Sequence, residues 1–373
     1  MFSRYSLDRS ERSSGKILFR ILVVLALIAY CLFAPRQLEE IPGFRLVWST
    51  DVVQGTPLMN SDDAAVPGSE ADVPEWIPFV TEDEFGYLSG DGRLLYRETI
   101  LFDVAVSDSS FVNYSRMGES LVARTPRDHY FYGVNADGYP VYREGELFLI
   151  SHDRMSIIAV GEAGDRAYRL DFPSIVTSFD YSSGIVAVGL LDGSVELFSS
   201  EGKSIDTLKP QEKNRPVYGV AISRRGTFIS CIWGDEPQHT SVYRVKEEDF
   251  REVERFTEDE VMVRETLVRF SADEKLLFYE RQGAVAVVDL TRMERRHIPV
   301  RGRIFDLYSE GKGHPLFVAG NGTGVGFISV FDDRGELLTE ERLPAGVTYF
   351  YPHGNGIVCT AGGRAFFING EWI

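Results

Sequence analysis

Cysteine is scarce in this chain, with three among 373 residues. Cys31 lies in an apolar run near the N-terminus, and Cys231 and Cys359 each end a strand-like segment, in repeats three copies apart. Equivalent strands in distant repeats stand too far apart to bridge, so no disulfide framework is expected and both read as small buried apolar residues. Histidine is rare as well. The six are scattered and no two cysteines are close, which excludes a zinc pattern. No Gly-x-Ser-x-Gly elbow occurs. Basic charge is in deficit: the formal net charge is −17, with residues 1 to 36 at +4 and the remainder at −21. A domain this acidic repels nucleic acid at long range and argues against it as a partner.

The longest apolar run is Ile17–Ala34, interrupted only by Arg20. Eighteen helical residues span about 27 Å, close to the hydrocarbon thickness of a bilayer. Ile17, Ile21, Leu25, Ile28 and Ala34 would meet lipid, and Arg20 would snorkel to the headgroups. Basic residues precede the run and Glu39-Glu40 follow it, so the positive-inside rule places residues 1–16 in the cytoplasm and the rest outside. Three fates compete. Cleavage after Ala34 is opposed by Leu32 and Pro35, and lipidation at Cys31 by the bulk of Tyr30, which leaves an uncleaved signal anchor. Residues 35–79 read as an acidic, turn-rich linker.

From residue 80 to 373 a strand-turn-strand pattern recurs. Its clearest copy alternates from Gly184 to Gly189, turns at Asp192-Gly193, resumes over Val195–Phe198 and turns again at Glu201-Gly202. Seven copies of one run can be traced: Ile100–Val106, Glu146–Ile150, Ser194–Phe198, Ser241–Val245, Ala284–Val288, Gly326–Phe331 and Ala365–Ile368. Each follows a second strand: Arg93–Tyr96, Tyr139–Tyr142, Ile185–Val188, Phe228–Cys231, Leu276–Tyr279, Leu316–Ala319 and Ile357–Thr360. The turns opening those strands fall at Gly92, Gly138, Gly184, Gly226, Asp273, Gly313 and Gly356, a period of 40 to 47 residues. Short strands at that period indicate a β-propeller. The expectation is an all-β, seven-bladed propeller preceded by one N-terminal transmembrane helix. The last copy runs out of chain, and the strand-like run Phe44–Ser49 is the segment placed to complete it and close the ring.

Motifs for chemistry are weak. Gly320–Gly326 is glycine-rich but opens no helix, so it reads as a loop rather than a phosphate cradle. Asn135, Asp137, Gly138 and Glu144 echo a calcium loop, yet Gly133 stands at the first ligand position and Pro140 interrupts. The acidic runs around Asp62-Asp63 and Glu82–Glu84 read as solvated surface. Asn113-Tyr-Ser115 and Asn321-Gly-Thr323 match the glycosylation acceptor pattern, and chance explains both.

The third copy, with Gly189, Asp192-Gly193, Leu197-Phe198 and Glu201-Gly202-Lys203, and the sixth, with Val330-Phe331-Asp332-Asp333-Arg334-Gly335, resemble WD40-like and PQQ-type propellers. The Trp-Asp dipeptides and the regular tryptophans of those families are missing, and Gly-His does not recur from copy to copy, so no quinone or other cofactor is implied. Membrane-tethered extracytoplasmic propellers of this kind resemble envelope-assembly scaffolds. That resemblance implies a non-enzymatic interaction platform on the cytoplasmic membrane, with envelope or membrane proteins as partners and lipid met only by the anchor. A small-ligand or glycan sensor using the central channel is the alternative, and a hydrolase with channel carboxylates is a third reading.

Overall fold

The computed structural model describes residues 42–57, 75–115, 121–126, 130–161, 163–209, 215–246 and 249–372. The expected membrane segment, with Ile17, Arg20, Ile21, Leu25, Ile28 and Ala34, lies outside them. Among the described residues no helix is long and apolar enough to cross a membrane.

Strand β1 (Pro42–Asp51) comes first. Blade 1 then holds β2 (Ile77–Val80), β3 (Glu84–Leu88) and β4 (Leu94–Thr99). Blade 2 holds β5 (Asp103–Val106), β6 (Phe111–Tyr114), β7 (Leu121–Arg124) and β8 (Phe131–Val134). Blade 3 is β9 (Tyr139–Arg143), β10 (Glu146–Ile150), β11 (Ser156–Val160) and β12 (Arg166–Asp171). Blade 4 is β13 (Val176–Ser182), β14 (Ile185–Leu190), β15 (Val195–Ser199) and β16 (Ser204–Leu208). Blade 5 is β17 (Val217–Ile222), β18 (Phe228–Trp233), β19 (Gln238–Lys246) and β20 (Asp249–Glu258). Blade 6 is β21 (Val268–Phe270), β22 (Leu276–Arg281), β23 (Ala284–Asp289) and β24 (Glu294–Pro299). Blade 7 is β25 (Arg303–Tyr308), β26 (Leu316–Asn321), β27 (Gly326–Phe331) and β28 (Leu337–Leu343). Blade 8 is β29 (Val347–His353), β30 (Gly356–Ala361) and β31 (Arg364–Trp372), with β1 added outside β31.

The propeller therefore has eight blades, not the seven expected from the repeat spacing. From Gly184 onward each traced pair of runs coincides with the second and third strands of blades 4 to 8. Earlier the tracing slips. Arg93–Tyr96 falls on the third strand of blade 1, Ile100–Val106 runs into the first strand of blade 2, and Tyr139–Tyr142 with Glu146–Ile150 are the first two strands of blade 3. Blade 2 hides because its strands are four residues long and its first hairpin turns without glycine. Ser107 Oγ accepts the N–H groups of Ser109 (3.3 Å) and Ser110 (3.0 Å), a serine turn doing what glycine does elsewhere. Pro140 lies on β9, an edge strand of its sheet, where a missing donor costs no ladder bond.

Apolar clusters fill the seams between blades. Leu276, Phe278 and Val287 of blade 6 meet Ile304, Val318 and Phe327 of blade 7. The seam that closes the ring joins Val358, Ala365 and Phe367 of blade 8 to Ile77, Phe79 and Leu94 of blade 1, with Val52 buried between them. Thr348 and Thr360 hydroxyls both donate to the Val80 carbonyl across it. Strand β1 ties the same two blades. Trp48 stands 5.8 Å from the Phe367 ring and donates its indole N–H to the Gly90 carbonyl at 3.1 Å, and Thr50 donates to Gly92. Gly92 has φ +83, and a Cβ there would sit 2.5 Å from the indole, so both the turn and the tryptophan contact demand glycine.

Truncation of Trp48 should therefore loosen both ends of the ring. Trp48→Ala is expected to cost about 2 kcal/mol, since the indole is half-buried. A thermal melt of the full chain checks this, and an unchanged midpoint would mean that β1 does not fasten the closure.

Candidate functional site

The positions singled out as repeat turns are spread round the ring. Gly92 lies in the β3–β4 turn, Gly138 just before β9, Gly184 between β13 and β14, and Gly226 between β17 and β18. Asp273 lies between β21 and β22, Gly313 between β25 and β26, and Gly356 opens β30. Gly138 falls in the connection between blades 2 and 3 and the others in or beside hairpin turns, and they converge on no common point. The echo of a calcium loop dissolves too: Glu144 accepts the Ser182 hydroxyl (2.6 Å) and the Ser183 N–H (3.2 Å), stapling blade 3 to blade 4. Among the described residues no group of three or more His, Cys, Asp or Glu is placed to hold a metal. Asn113 spends its amide on the Glu98 carboxylate and the Thr99 carbonyl, both at 2.9 Å. Asn321 pairs with both main-chain groups of Val347. Cys231 and Cys359 are buried free thiols, and burial pushes Cys359 up to about 12.

The first strands of the blades line a channel whose mouth is a cavity of about 410 Å³. Arg143 of β9 reaches Asp180 of β13 (3.8 Å), and Arg269 of β21 reaches Asp306 of β25 (3.4 Å). Burial lowers the Arg143 guanidinium, whereas the Asp306 carboxylate raises that of Arg269. Asp180 also accepts the Ile222 N–H at 2.8 Å. The charges alternate in sign and are largely spent on each other and on the frame.

A second cluster is wholly structural. Glu258, at the end of β20, is 4% exposed. Its carboxylate accepts from Thr240 (2.9 Å), Tyr279 (2.9 Å) and Arg295 (2.8 Å), and Arg281 approaches at 3.3 Å. Burial and then Glu258 push the Tyr279 phenol up. With four partners and no path to solvent, this carboxylate locks blade 5 to blade 6. Sequence reasoning missed it, because Glu258-Asp259-Glu260 has the look of a solvated acidic run.

A third feature lies where blade 1 meets blade 2. Tyr130 and Phe131, at the start of β8, are 53% and 66% exposed, whereas Leu101 and Phe102, 69% and 52% exposed, lie at the opposite edge and end of blade 2, beside Asn113 and Tyr114. Beside Tyr130 and Phe131 a groove of about 400 Å³ is walled by Tyr96 of β4 and by Phe111, Val122, Arg124 and Pro126 of blade 2. Tyr96 donates to Glu98, which pairs with Arg124 at 3.6 Å, so the polar groups at the floor are matched and the walls are apolar.

Two substitutions test the seams. Glu258→Gln leaves two guanidinium groups without their shared countercharge and should cost about 3 kcal/mol of stability, read by denaturant unfolding. Burial works to raise the Asp289 carboxyl, but its bonds to Lys312 of the β25–β26 loop and to Thr291 outweigh this and hold it well below the ordinary range. A depressed folded-state value stabilises above the unfolded-state value, and that stability is lost as pH falls. Asp289→Asn should therefore melt lower than wild type at pH 7, with the gap narrowing below about pH 4. A pH-independent gap would show that the charge does not matter.

The fold and these surfaces can be set beside known proteins. A curated relative, an uncharacterized protein of Treponema pallidum (strain Nichols), is 21% identical over 281 residues, covering 75% of this chain and 74% of that protein. Among solved structures, BamB from Moraxella catarrhalis superposes with a TM-score of 0.60 at 12% identity, over 88% of this chain and 100% of that one. The computationally designed Ika8 protein superposes with a TM-score of 0.55 at 13% identity, over 83% and 99%. Both likenesses are of fold. A model of a β-propeller protein family matches residues 12–319, and the chain belongs to that family.

Proposed function

We propose that this protein is an interaction scaffold without chemistry of its own, held on the outer face of the cytoplasmic membrane of a bacterial envelope by its apolar segment 17–34. One observation carries the reading: the groove of about 400 Å³ walled by Tyr96, Phe111 and Val122 and flanked by the exposed rings of Tyr130 and Phe131. Exposed aromatic rings beside such a groove mark a binding face. A rigid ring suits that task, because its loops and outer strands are fixed relative to one another. The resemblance in fold to BamB agrees with the reading but does not carry it, since fold is shared across many functions. The channel mouth favours a second reading. Its cavity of about 410 Å³, with Arg143, Arg224 and Arg269 on its walls, is the size of a small anionic ligand or sugar acid.

Crosslinked affinity purification of the full-length protein from its native membranes separates the two. The scaffold reading expects a stoichiometric envelope protein in the eluate. Recovery of the chain alone, together with a thermal shift on adding small anions or glycans, would transfer the function to the channel.

A further inference from the structure

Seven of the eight blades have four strands, and blade 1, among the described residues, has three. The outer edge of blade 1 is β4. Its Ile100 neighbour turns its N–H inward to the Asp83 carbonyl at 2.8 Å, so antiparallel alternation turns the main-chain groups of Arg97 outward. Such an edge is a template for a further strand. In blade 8 the fourth position is filled by β1, whose Trp48 covers the turn of the next blade. Among the described residues, blade 1 offers no such cover to blade 2. On β8, Val134 is buried and Tyr132 half-buried in the cluster shared with blade 3, whereas Phe131 and Gly133, on the other face, are exposed. The exposed Phe131 face of β8 and the outer edge of the three-stranded blade thus border one groove.

We propose that blade 1 takes its fourth strand from another protein, as an extended segment added antiparallel to β4 with alternate apolar side chains set in the groove between Tyr96, Phe111, Val122 and Phe131. This rests on the scaffold reading and names its mode. Charge fixes the direction. Thr99, at the end of β4, borders a second cavity of about 500 Å³ that is also lined by Asp51, Glu82, Asp83 and Glu84. Arg97 approaches Glu84 only to 3.8 Å, which leaves that end strongly negative. An antiparallel strand brings its N-terminal end there, so the partner segment begins with lysine or arginine and continues with alternating apolar residues.

The test uses the full-length protein in lipid nanodiscs and a fluorescein-labelled synthetic peptide of two lysines followed by alternating phenylalanine or valine and threonine. Anisotropy should show binding. Methylating the peptide N–H groups that face β4 should weaken it by at least about tenfold, while methylating those that face away should change it by less than about twofold. Phe131→Glu, a surface change that spares the core, should also weaken it by at least about tenfold, as should glutamates in place of the lysines. Equal effects of the two methylation patterns, unchanged binding to Phe131→Glu, or no binding would each overturn the proposal. Slow amide exchange at Arg97 without peptide, or a dimer that Phe131→Glu dissociates, would assign the edge to the chain itself or to a second copy. In native membranes, a partner recovered undiminished with Phe131→Glu removes this site and leaves the scaffold, whereas wild type recovered alone removes the scaffold itself.

Discussion

Closure of the ring governs this protein. Eight sheets wound round a channel are stable only if the last meets the first, because an open ring would expose an interblade face at each end. The chain solves this by sending its first described strand, β1, to the outside of its last blade. Trp48 and Thr50 then reach across to the β3–β4 turn of blade 1, and Arg97 of blade 1 donates back to the Val52 carbonyl at 2.9 Å. The bonds from Thr348 and Thr360 to Val80 stitch the same seam nearer the channel. The ring is thereby tied by residues almost the whole chain apart, so its folding cannot be local.

The closure has a cost that shapes the surface. With β1 spent on blade 8, blade 1 ends at β4 among the described residues, and the flank of blade 2 lacks the cover of a further strand. Other seams show what full closure looks like. Between blades 5 and 6 a buried carboxylate has every partner it can use, and between blades 6 and 7 the Lys312–Asp289 pair at 2.8 Å spans the gap. At blades 1 and 2 the polar groups are matched, through Glu98, Arg124 and Asn113, but Tyr130 and Phe131 are left exposed. The proposed interaction surface follows from how the circle is closed.

Legibility in the sequence followed local regularity. Blades 4 to 8 could be traced because their strands alternate cleanly and their hairpins turn on glycine or aspartate, as at Gly184, Gly226 and Asp273. Blade 2 could not, because a serine turn and four-residue strands such as Phe-Val-Asn-Tyr carry little period-two signal. The run Phe44–Ser49 stood out among linker residues as the closing strand, and it lies within β1. The surfaces were less accessible. Nothing local distinguishes Phe131, which is exposed, from Phe111, which is 1% exposed, since both open short strands of one blade. The difference is made by place in the sheet, since β6 lies inside blade 2 against the core shared with blade 1 and β8 is its outer edge, a tertiary fact. The buried role of Glu258 depends in the same way on Arg281 and Arg295 arriving from the next blade.

The central claim is that β1 completes blade 8 and leaves the edge of β4 open. Residue-resolved amide hydrogen exchange on the full-length protein tests it most directly. The account predicts slow exchange along β31, shielded between β30 and β1, and fast exchange at Arg97 on β4 within a ring that is otherwise protected. Slow exchange at Arg97 with rapid exchange along β31 would mean that the first strand belongs to blade 1, and both the closure and the surface derived from it would be wrong.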